Sequence, residues 1–453
     1  MNFDCFKAYD VRGKVPSSLS PALALEIGYA YVREFNIKNV VIGHDARLSS
    51  PDIYKSLATG LQYAGANVVG IGMCGTEEIY HATAYIQENG VPFDGGIMVT
   101  GSHNPQDENG LKFVRENAIP ISSDTGLLAI KERIINGQKI PSDITGSFIE
   151  HSYRQAYIET LLSHTDANGL MPFKIVANAG NGCAYLALKE LIPYLPFEFI
   201  LVDEEPDGTF PHGVPNPLLP ENRERTAQMV RRHKADFGIA WDGDFDRCFF
   251  YDANGRFIEG YYIVGMLASA LLETFPHEKI IHDPRLTWNT MELVDKHGGI
   301  NITSKSGHAF IKETMRKENA LYGGEMSAHH YFRDFAYCDS GMLPWLLVAK
   351  LLSASKQSLA SFVDARIQAF PCSGEINSNV ENIALTLEKI ENAYKNSAKT
   401  INKIDGLSME FDDWRFNVRG SNTEPVLRLN VESRANEPLM QEKTEELLRL
   451  IRE

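Results

Sequence analysis

The chain has 453 residues, 43% of them hydrophobic, which is too long for one ordinary core and supplies enough apolar side chains for several domains. Its 59 acidic and 44 basic side chains give a formal net charge of -15 with no Lys/Arg run, which argues against nucleic acid or an anionic membrane as partner. The cysteines (Cys5, Cys74, Cys183, Cys248, Cys338 and Cys372) lack the paired spacing of a disulfide framework or zinc site, and neither a leader pattern nor a long apolar run is evident. These features predict a cytoplasmic protein with reduced thiols and no obligate protein partner.

From about residue 20 to 100, helix and strand signals alternate. Pro21 opens a helix with Leu23, Ile27 and Tyr31 on one face, Val40–Gly43 is a strand, Leu57 and Leu61 mark a second helix, and Val68–Ile71 is another strand. The apolar run Gly96–Val99 then stops at Thr100-Gly101-Ser102-His103-Asn104-Pro105. That loop reads either as a plain turn or as an exposed turn offering the Ser102 hydroxyl and backbone N–H groups to an anion, with Gly101 allowing close approach. Lys112 follows in Asn109–Lys112; it is an ordinary solvated lysine or, with a lowered pKa, a base. Gly137 to Ser147, rich in Gly, Pro, Ser and Asp, reads as a domain exit.

A second α/β unit has a strand at Lys174–Ala177, a Gly180-Asn181-Gly182 turn read as structural, a helix through Ile192, a strand at Phe197–Val202, a surface loop from Pro206 to Pro220 and a helix from about Glu221. The strand Phe237–Trp241 delivers Asp242-Gly243-Asp244-Phe245-Asp246-Arg247. A helix–loop–helix calcium site would need Gly and Glu where Arg247 and Ala253 stand. Three alternating carboxylates beside an arginine suit Mg²⁺ shared with a phosphate; a solvated acidic turn is the alternative. A third unit has a strand at Ile280–Asp283 before Arg285, a helix opened by Ser306-Gly307-His308, and Glu325, Ser327 and His329 on a loop suited to a polyol. After Gln368 to Ser373, the last unit has helices near Ile383–Tyr394 and Leu439–Ile451 and a strand Trp414–Arg419 running into Gly-Ser-Asn-Thr, a turn or a phosphate clamp.

Thr-Gly-Ser-His-Asn-Pro, Asp-Gly-Asp-Phe-Asp-Arg, Gly-Glu-Met-Ser-Ala-His-His at Gly324–His330 and Arg-Gly-Ser-Asn-Thr-Glu-Pro at Arg419–Pro425 resemble the four signature loops of the α-D-phosphohexomutases. They stand in that family's order, and the similarity begins at Ala8-Tyr9-Asp10-Val11-Arg12-Gly13 and runs nearly to the C-terminus. The resemblance implies three similar α/β domains with mixed sheets (1–147, 148–251 and 252–367) and a smaller α+β domain (368–453) around a central cleft. It implies that Ser102 carries a phosphoryl group and exchanges it with a hexose monophosphate through a hexose 1,6-bisphosphate, which also activates the enzyme.

By the same resemblance, one Mg²⁺ lies on Ser102, Asp242, Asp244 and Asp246; His103, Lys112, Arg247 and His329 assist catalysis; and Tyr9, Arg12, Arg285, Gly307, His308, Glu325, Ser327, Arg419, Ser421, Asn422 and Thr423 bind substrate. The fourth domain is expected to close on substrate about a hinge near Phe370. The Gly-Glu-Met-Ser-Ala-His-His loop resembles the bacterial phosphomannomutase branch, which supplies mannose 1-phosphate for GDP-mannose and surface polysaccharide; phosphoglucomutase or dual activity is the alternative. Arg285 departs from dual-specificity members, which have lysine there. A non-catalytic sugar-phosphate sensor or a metal-dependent phosphatase would be readings of other classes; a sensor would be expected to have lost Ser102, Lys112 or an aspartate of the triad.

Overall fold

The structure, a computed structural model, describes residues 3–165, 169–420 and 426–452. The chain forms two compact units, Met1–Phe257 with Tyr331–Ala354, and Ile258–His330 with Ser355–Glu453.

In the first unit a mixed sheet runs in the order Val11–Lys14, Glu108–Arg115, Gly95–Val99, Asn39–His44, Asn67–Met73 and Phe148–Glu150. Asn39–His44 pairs in parallel with both Asn67–Met73 and Gly95–Val99, so three carboxyl ends emerge on one edge, where open α/β sheets hold ligands. Gly95–Val99 is wholly buried, as expected for a strand covered on both faces. The helix Pro21–Phe35, capped by Ser20, packs against Ser50–Tyr63 at unusually close range. Glycines make that possible: a Cβ on Gly28 would lie 2.6 Å from the Leu57 carbonyl oxygen, and one on Gly60 would run into the Leu25 carbonyl.

A second sheet has the order Glu198–Val202, Lys174–Asn178, Phe237–Trp241, Cys248–Asp252, with the first three strands parallel and the last antiparallel. The acidic loop is therefore the connection between two antiparallel strands, Trp241 standing opposite Cys248. Tyr331–Ala354 also belongs to this unit. Trp345, on the helix Leu343–Ser355, meets Phe197 and Phe199 at ring separations of 6.3 and 6.0 Å.

The sheets depart from the boundaries expected from sequence. Phe148–Glu150 pairs with Asn67–Met73, so the first sheet runs past 147, and Cys248–Asp252 carries the second past 251. The Gly/Pro-rich exit signal marks where the chain turns, while strand pairing after the turn decides which sheet a segment joins. The helix expected from about Glu221 begins as a 3₁₀ turn at Pro220–Asn222 and is α-helical over Glu224–His233.

In the second unit the parallel strands Ile300–Thr303, Lys279–His282 and Tyr322–Gly324 carry helices Gly260–Thr274, Trp288–Lys296 and His308–Glu318. The C-terminal sheet is antiparallel throughout, in the order Ile376–Asn379, Val426–Ser433, Trp414–Gly420, Leu407–Glu410, Thr400–Asn402. Helices Ile383–Tyr394 and Glu437–Arg452 contribute Ile390, Tyr394, Leu447 and Ile451 to a core with Trp414, Phe416, Val418, Leu427, Leu429 and Val431. A buried ion pair ties this sheet to the Arg285 loop: Arg415 donates to Glu432 Oε1 at 2.7 Å and to the carbonyls of Pro284 and Arg285 at 2.8 and 3.0 Å. Tyr262 donates to the Phe370 carbonyl at 2.8 Å, fixing the segment where sequence places a hinge.

Gly60→Ala should separate the two N-terminal helices and cost about 1–3 kcal/mol. A lowered urea midpoint with unchanged slope would be the expected result.

Candidate active site

Ser102 lies immediately beyond the strand Gly95–Val99, in the left-handed region at φ 49, a conformation that costs a non-glycine residue roughly 1–3 kcal/mol and must be held by its surroundings. Three groups hold it. Thr100 Oγ1 accepts from the Ser102 N–H at 2.8 Å, and Asp45 Oδ2 accepts from the Gly101 N–H at 3.0 Å. Arg47, 1% exposed, donates to the carbonyls of Pro105, Glu108, Ser102 and Asn104 at 2.6, 2.8, 2.9 and 2.6 Å. The sequence reading left Gly101 open for a ligand; in the fold that space holds the Arg47 side chain. The Ser102 hydroxyl, expected in solvent reach, is buried and donates to Asp242 Oδ2 at 2.8 Å. The loop from Pro206 is likewise not a free surface segment, because Gln106 donates to the Gly208 carbonyl at 3.0 Å and Phe210 lies 5.5 Å from the Arg47 guanidinium.

The acidic loop comes from the second sheet and meets the serine loop through Gly243, where a Cβ would stand 2.7 Å from the Ser102 carbonyl oxygen. The Gly180-Asn181-Gly182 turn packs against this loop: a Cβ on Gly182 would stand 2.8 Å from the Gly243 carbonyl oxygen, which accepts from the Cys183 N–H at 3.0 Å. Asp242, Asp244 and Asp246 are all buried, and one oxygen from each lies within 4.8 Å of the others. Their repulsion is relieved by two cations. Lys112 Nζ donates to Asp244 Oδ2 at 2.7 Å and to Asp246 Oδ2 at 2.5 Å, while Arg247 donates twice to Asp242 Oδ2, at 2.9 and 2.7 Å. Thr76 donates to Asp244 as well.

These contacts set the protonation states. Burial pushes the Asp244 carboxyl up, but Lys112, Thr76 and Arg12 outweigh it and hold it below the usual range. Burial pulls Lys112 down, but Asp244 and Asp246 more than reverse this, so its pKa is raised. A base would need a lowered value; paired in this way Lys112 is instead an ammonium that serves as counter-ion to two of the aspartates. His103 is held well below its ordinary pKa by burial and then by Arg247, whose Nη2 contacts Nδ1. Arg12 donates to Asp10 at 2.6 Å and to Asn104 Oδ1 at 3.1 Å, bracing the serine loop from the other side; Tyr9 is half-buried on the segment leading to Val11–Lys14.

Three close carboxylates ask for a divalent cation, and one observation tests the fit: Asp244 Oδ1 is buried with no hydrogen-bond partner among the described residues. An all-oxygen donor set of this size suits Mg²⁺.

In the second unit Arg285 is buried, gripped by Asp283 through Nε at 3.0 Å and Nη2 at 2.8 Å, and it donates to Ser327 Oγ at 3.3 Å. Asp283 also accepts from the Met326 N–H at 2.9 Å, so the strand end and the sugar-loop candidate form one network. Glu325 accepts from the N–H of Gly307, the cap of His308–Glu318, at 2.8 Å, which brings Gly307, His308, Glu325 and Ser327 together. His329, half-buried, follows on the same loop, its carbonyl accepting from Glu325 N–H at 2.9 Å. Arg419 ends the strand Trp414–Gly420; Ser421, Asn422 and Thr423 lie outside the described residues. Sequence reasoning missed Asp45, Arg47, Thr76 and Asp283. A usable signal existed for the first two, since His44-Asp45-Ala46-Arg47 follows its strand in the way the serine loop follows its own.

The chain matches all four parts of the phosphoglucomutase/phosphomannomutase family: alpha/beta/alpha domain I over residues 4–140, domain II over 155–255, domain III over 259–370 and the C-terminal domain over 375–450. It belongs to that family and is an enzyme of the isomerase class that transfers phosphate within its substrate. It is 54% identical over 452 residues to "Phosphohexose mutases" of Xanthomonas campestris pv. campestris, covering 100% of both chains. It is 55% identical over 454 residues to "Phosphomannomutase" of Salmonella typhimurium, covering 99% of this chain and 98% of that one. A solved phosphoglucomutase/phosphomannomutase family protein from Burkholderia thailandensis superposes with a TM-score of 0.90 at 30% identity, covering 99% and 97% of the two chains.

Two measurements follow. Arg47→Met should release the serine loop and lower kcat by roughly 100-fold, as expected when a reacting group loses its orientation, with a smaller change in KM. His330, buried and donated to by Tyr322 at 2.7 Å, has its pKa lowered to about 3 by burial and then by His329. Its unfolded value near 6.5 is higher, so the unfolded state takes up the proton first and stability is lost as pH falls below about 6.5. Between pH 7 and 5 the parent should lose roughly 2 kcal/mol more than His330→Gln, read from urea titrations at each pH.

Proposed function

We propose that this chain interconverts mannose 6-phosphate and mannose 1-phosphate by passing a phosphoryl group from Ser102 to the sugar and taking the other phosphate back, with a hexose 1,6-bisphosphate as intermediate and activator. The observation that carries the reading is the placement of Ser102 Oγ on Asp242, at 2.8 Å, inside a cluster that pairs three carboxylates with Lys112 and Arg247. A divalent cation such as Mg²⁺, held by Asp242, Asp244, Asp246 and the phosphorylated Ser102, would neutralise charge developing on the phosphoryl oxygens.

The protein's own residues do the rest. The left-handed Ser102 backbone, fixed by Thr100, Asp45 and Arg47, aims the reacting oxygen without reorganisation during transfer. Lys112 assists each transfer by giving a proton to the oxygen that leaves and taking one from the hydroxyl that attacks in the same step, so that it ends every transfer protonated. Arg247 and neutral His103 line the reacting side, with Arg247 orienting the incoming phosphate. Glu325 and Ser327 hydrogen-bond vicinal sugar hydroxyls, with His308 and His329 beside them. Arg285 and Arg419, with Ser421, Asn422 and Thr423, grip the phosphate that is not reacting. Tyr9 and Arg12 support substrate near the serine loop.

The phosphomannomutases among the relatives favour mannose. The product, mannose 1-phosphate, is the substrate class of a nucleotidyltransferase making GDP-mannose for surface polysaccharide, and such a role places the enzyme in the cytoplasm. Among the described residues no helix is long and apolar enough to cross a membrane. The relative named "Phosphohexose mutases" favours a second reading, dual action on mannose and glucose phosphates.

The deciding experiment assays mannose 1-phosphate and glucose 1-phosphate with Mg²⁺ and trace bisphosphate, for the parent and Ser102→Ala. The parent should favour mannose by kcat/KM, and the variant should lose at least about 1,000-fold in kcat. Comparable kcat/KM values would support the dual reading, whereas full activity in Ser102→Ala or simple release of phosphate would overturn the phosphoserine mechanism. Treatment with a chelator should abolish turnover, and Mg²⁺ should restore it.

A further inference from the structure

Glu375 stands among three guanidinium groups of the second unit. Arg285 and Arg419 lie 3.4 and 3.6 Å from its Oε2, and Arg428 lies 3.5 Å from its Oε1. Each separation exceeds the roughly 2.7–2.9 Å of a well-made charge-assisted hydrogen bond, so one carboxylate is shared loosely among three cations. Arg285 has its own close partner in Asp283, at 2.8 Å. Among the described residues, Arg419 also has Asp405 near it, at 3.9 Å.

Arg419 and Arg428 are also direct cross-strand partners on Trp414–Gly420 and Val426–Ser433. Like charges facing one another across an antiparallel pair are destabilising, and an anion between them relieves the cost. Glu375 supplies that anion only in part. Burial raises its pKa, the three arginines outweigh this, and the group is ionised at neutral pH.

We propose that Glu375 is an internal competitor of substrate for the phosphate-gripping arginines: its carboxylate takes the anion position when no phosphate is bound and must be displaced when one arrives. The proposal rests on the mutase reading for its purpose. A phosphate ester, with nearly two negative charges and three acceptor oxygens, outcompetes one loosely held carboxylate, yet the competition subtracts from its net affinity. In a reaction whose bisphosphate intermediate must be released from this grip and taken up again by its other end, a moderated hold is an advantage, because binding the ground state too tightly slows the step that follows.

The test compares the parent with Glu375→Gln, which keeps the shape and removes the charge. Calorimetric titration with inorganic phosphate should show about ten-fold tighter binding in the variant. Under turnover, KM for mannose 1-phosphate should fall and kcat should fall with it. Phosphate binding that is unchanged or weaker in Glu375→Gln would overturn the proposal and make Glu375 a support for the arginines instead. Should Glu375→Gln not fold, Glu375→Asp, which draws the charge back by one methylene, has to bind phosphate more tightly than the parent, and equal or weaker binding would overturn it equally. The titration needs no turnover: a parent without mutase activity would remove the function reading while the phosphate comparison still decided the competition.

Discussion

Three aspartates buried together are tolerable only because cations reach them, and much of the first unit is arranged to deliver those cations. Lys112 comes from a central strand of the first sheet and Arg247 from the far end of the acidic loop itself. At 4 Å and moderate dielectric each like-charge pair would cost roughly 4 kcal/mol, so the aspartates could not stay ionised at this depth without such partners. The same pairing accounts for the raised pKa of Lys112 and the depressed pKa of Asp244, while burial, with Arg247 beside it, holds His103 low. Ser102, whose hydroxyl rests on one of these aspartates, inherits its position from the cluster.

The second unit solves the converse problem. Arg285, Arg419 and Arg428 concentrate positive charge in a chain of net charge -15, and Asp283, Glu325, Glu375 and Asp405 are interleaved to keep it folded. Asp283 grips Arg285 at 2.8 Å whereas Glu375 holds its arginines only at 3.4 to 3.6 Å, and that difference separates a structural counter-ion from one a ligand can replace. The buried Arg415–Glu432 pair, with the contacts of both Arg415 Nη atoms to the Pro284 and Arg285 carbonyls at 3.0 Å or less, shows what the structural kind looks like.

The strands and helices that carry the site were legible because each has a local cause. Phe237–Trp241 and Ile383–Tyr394 match their patterns residue for residue, since an apolar run between turn signals and an Asn cap before a helical stripe act within a few residues. The chemistry-bearing loops were legible for a related reason, as Gly, Ser, Asn and Asp mark strand ends wherever they occur. Arg47 was not legible. A lone arginine in sequence is a surface residue by default, and only the fold shows four carbonyls converging on its guanidinium.

By itself, then, the sequence determined the α/β alternation, the four loops and the residue types that could hold a phosphate, a sugar and a divalent cation, because those depend on local pattern and on side-chain chemistry. Tertiary structure decided which loops meet. It buried Ser102 where sequence put it in solvent, made Lys112 a counter-ion, carried Phe148–Glu150 into the first sheet, and set Arg419 opposite Arg428. Each of these depends on strand register and on desolvation, which are properties of residues far apart in the chain and are absent from any short stretch of it.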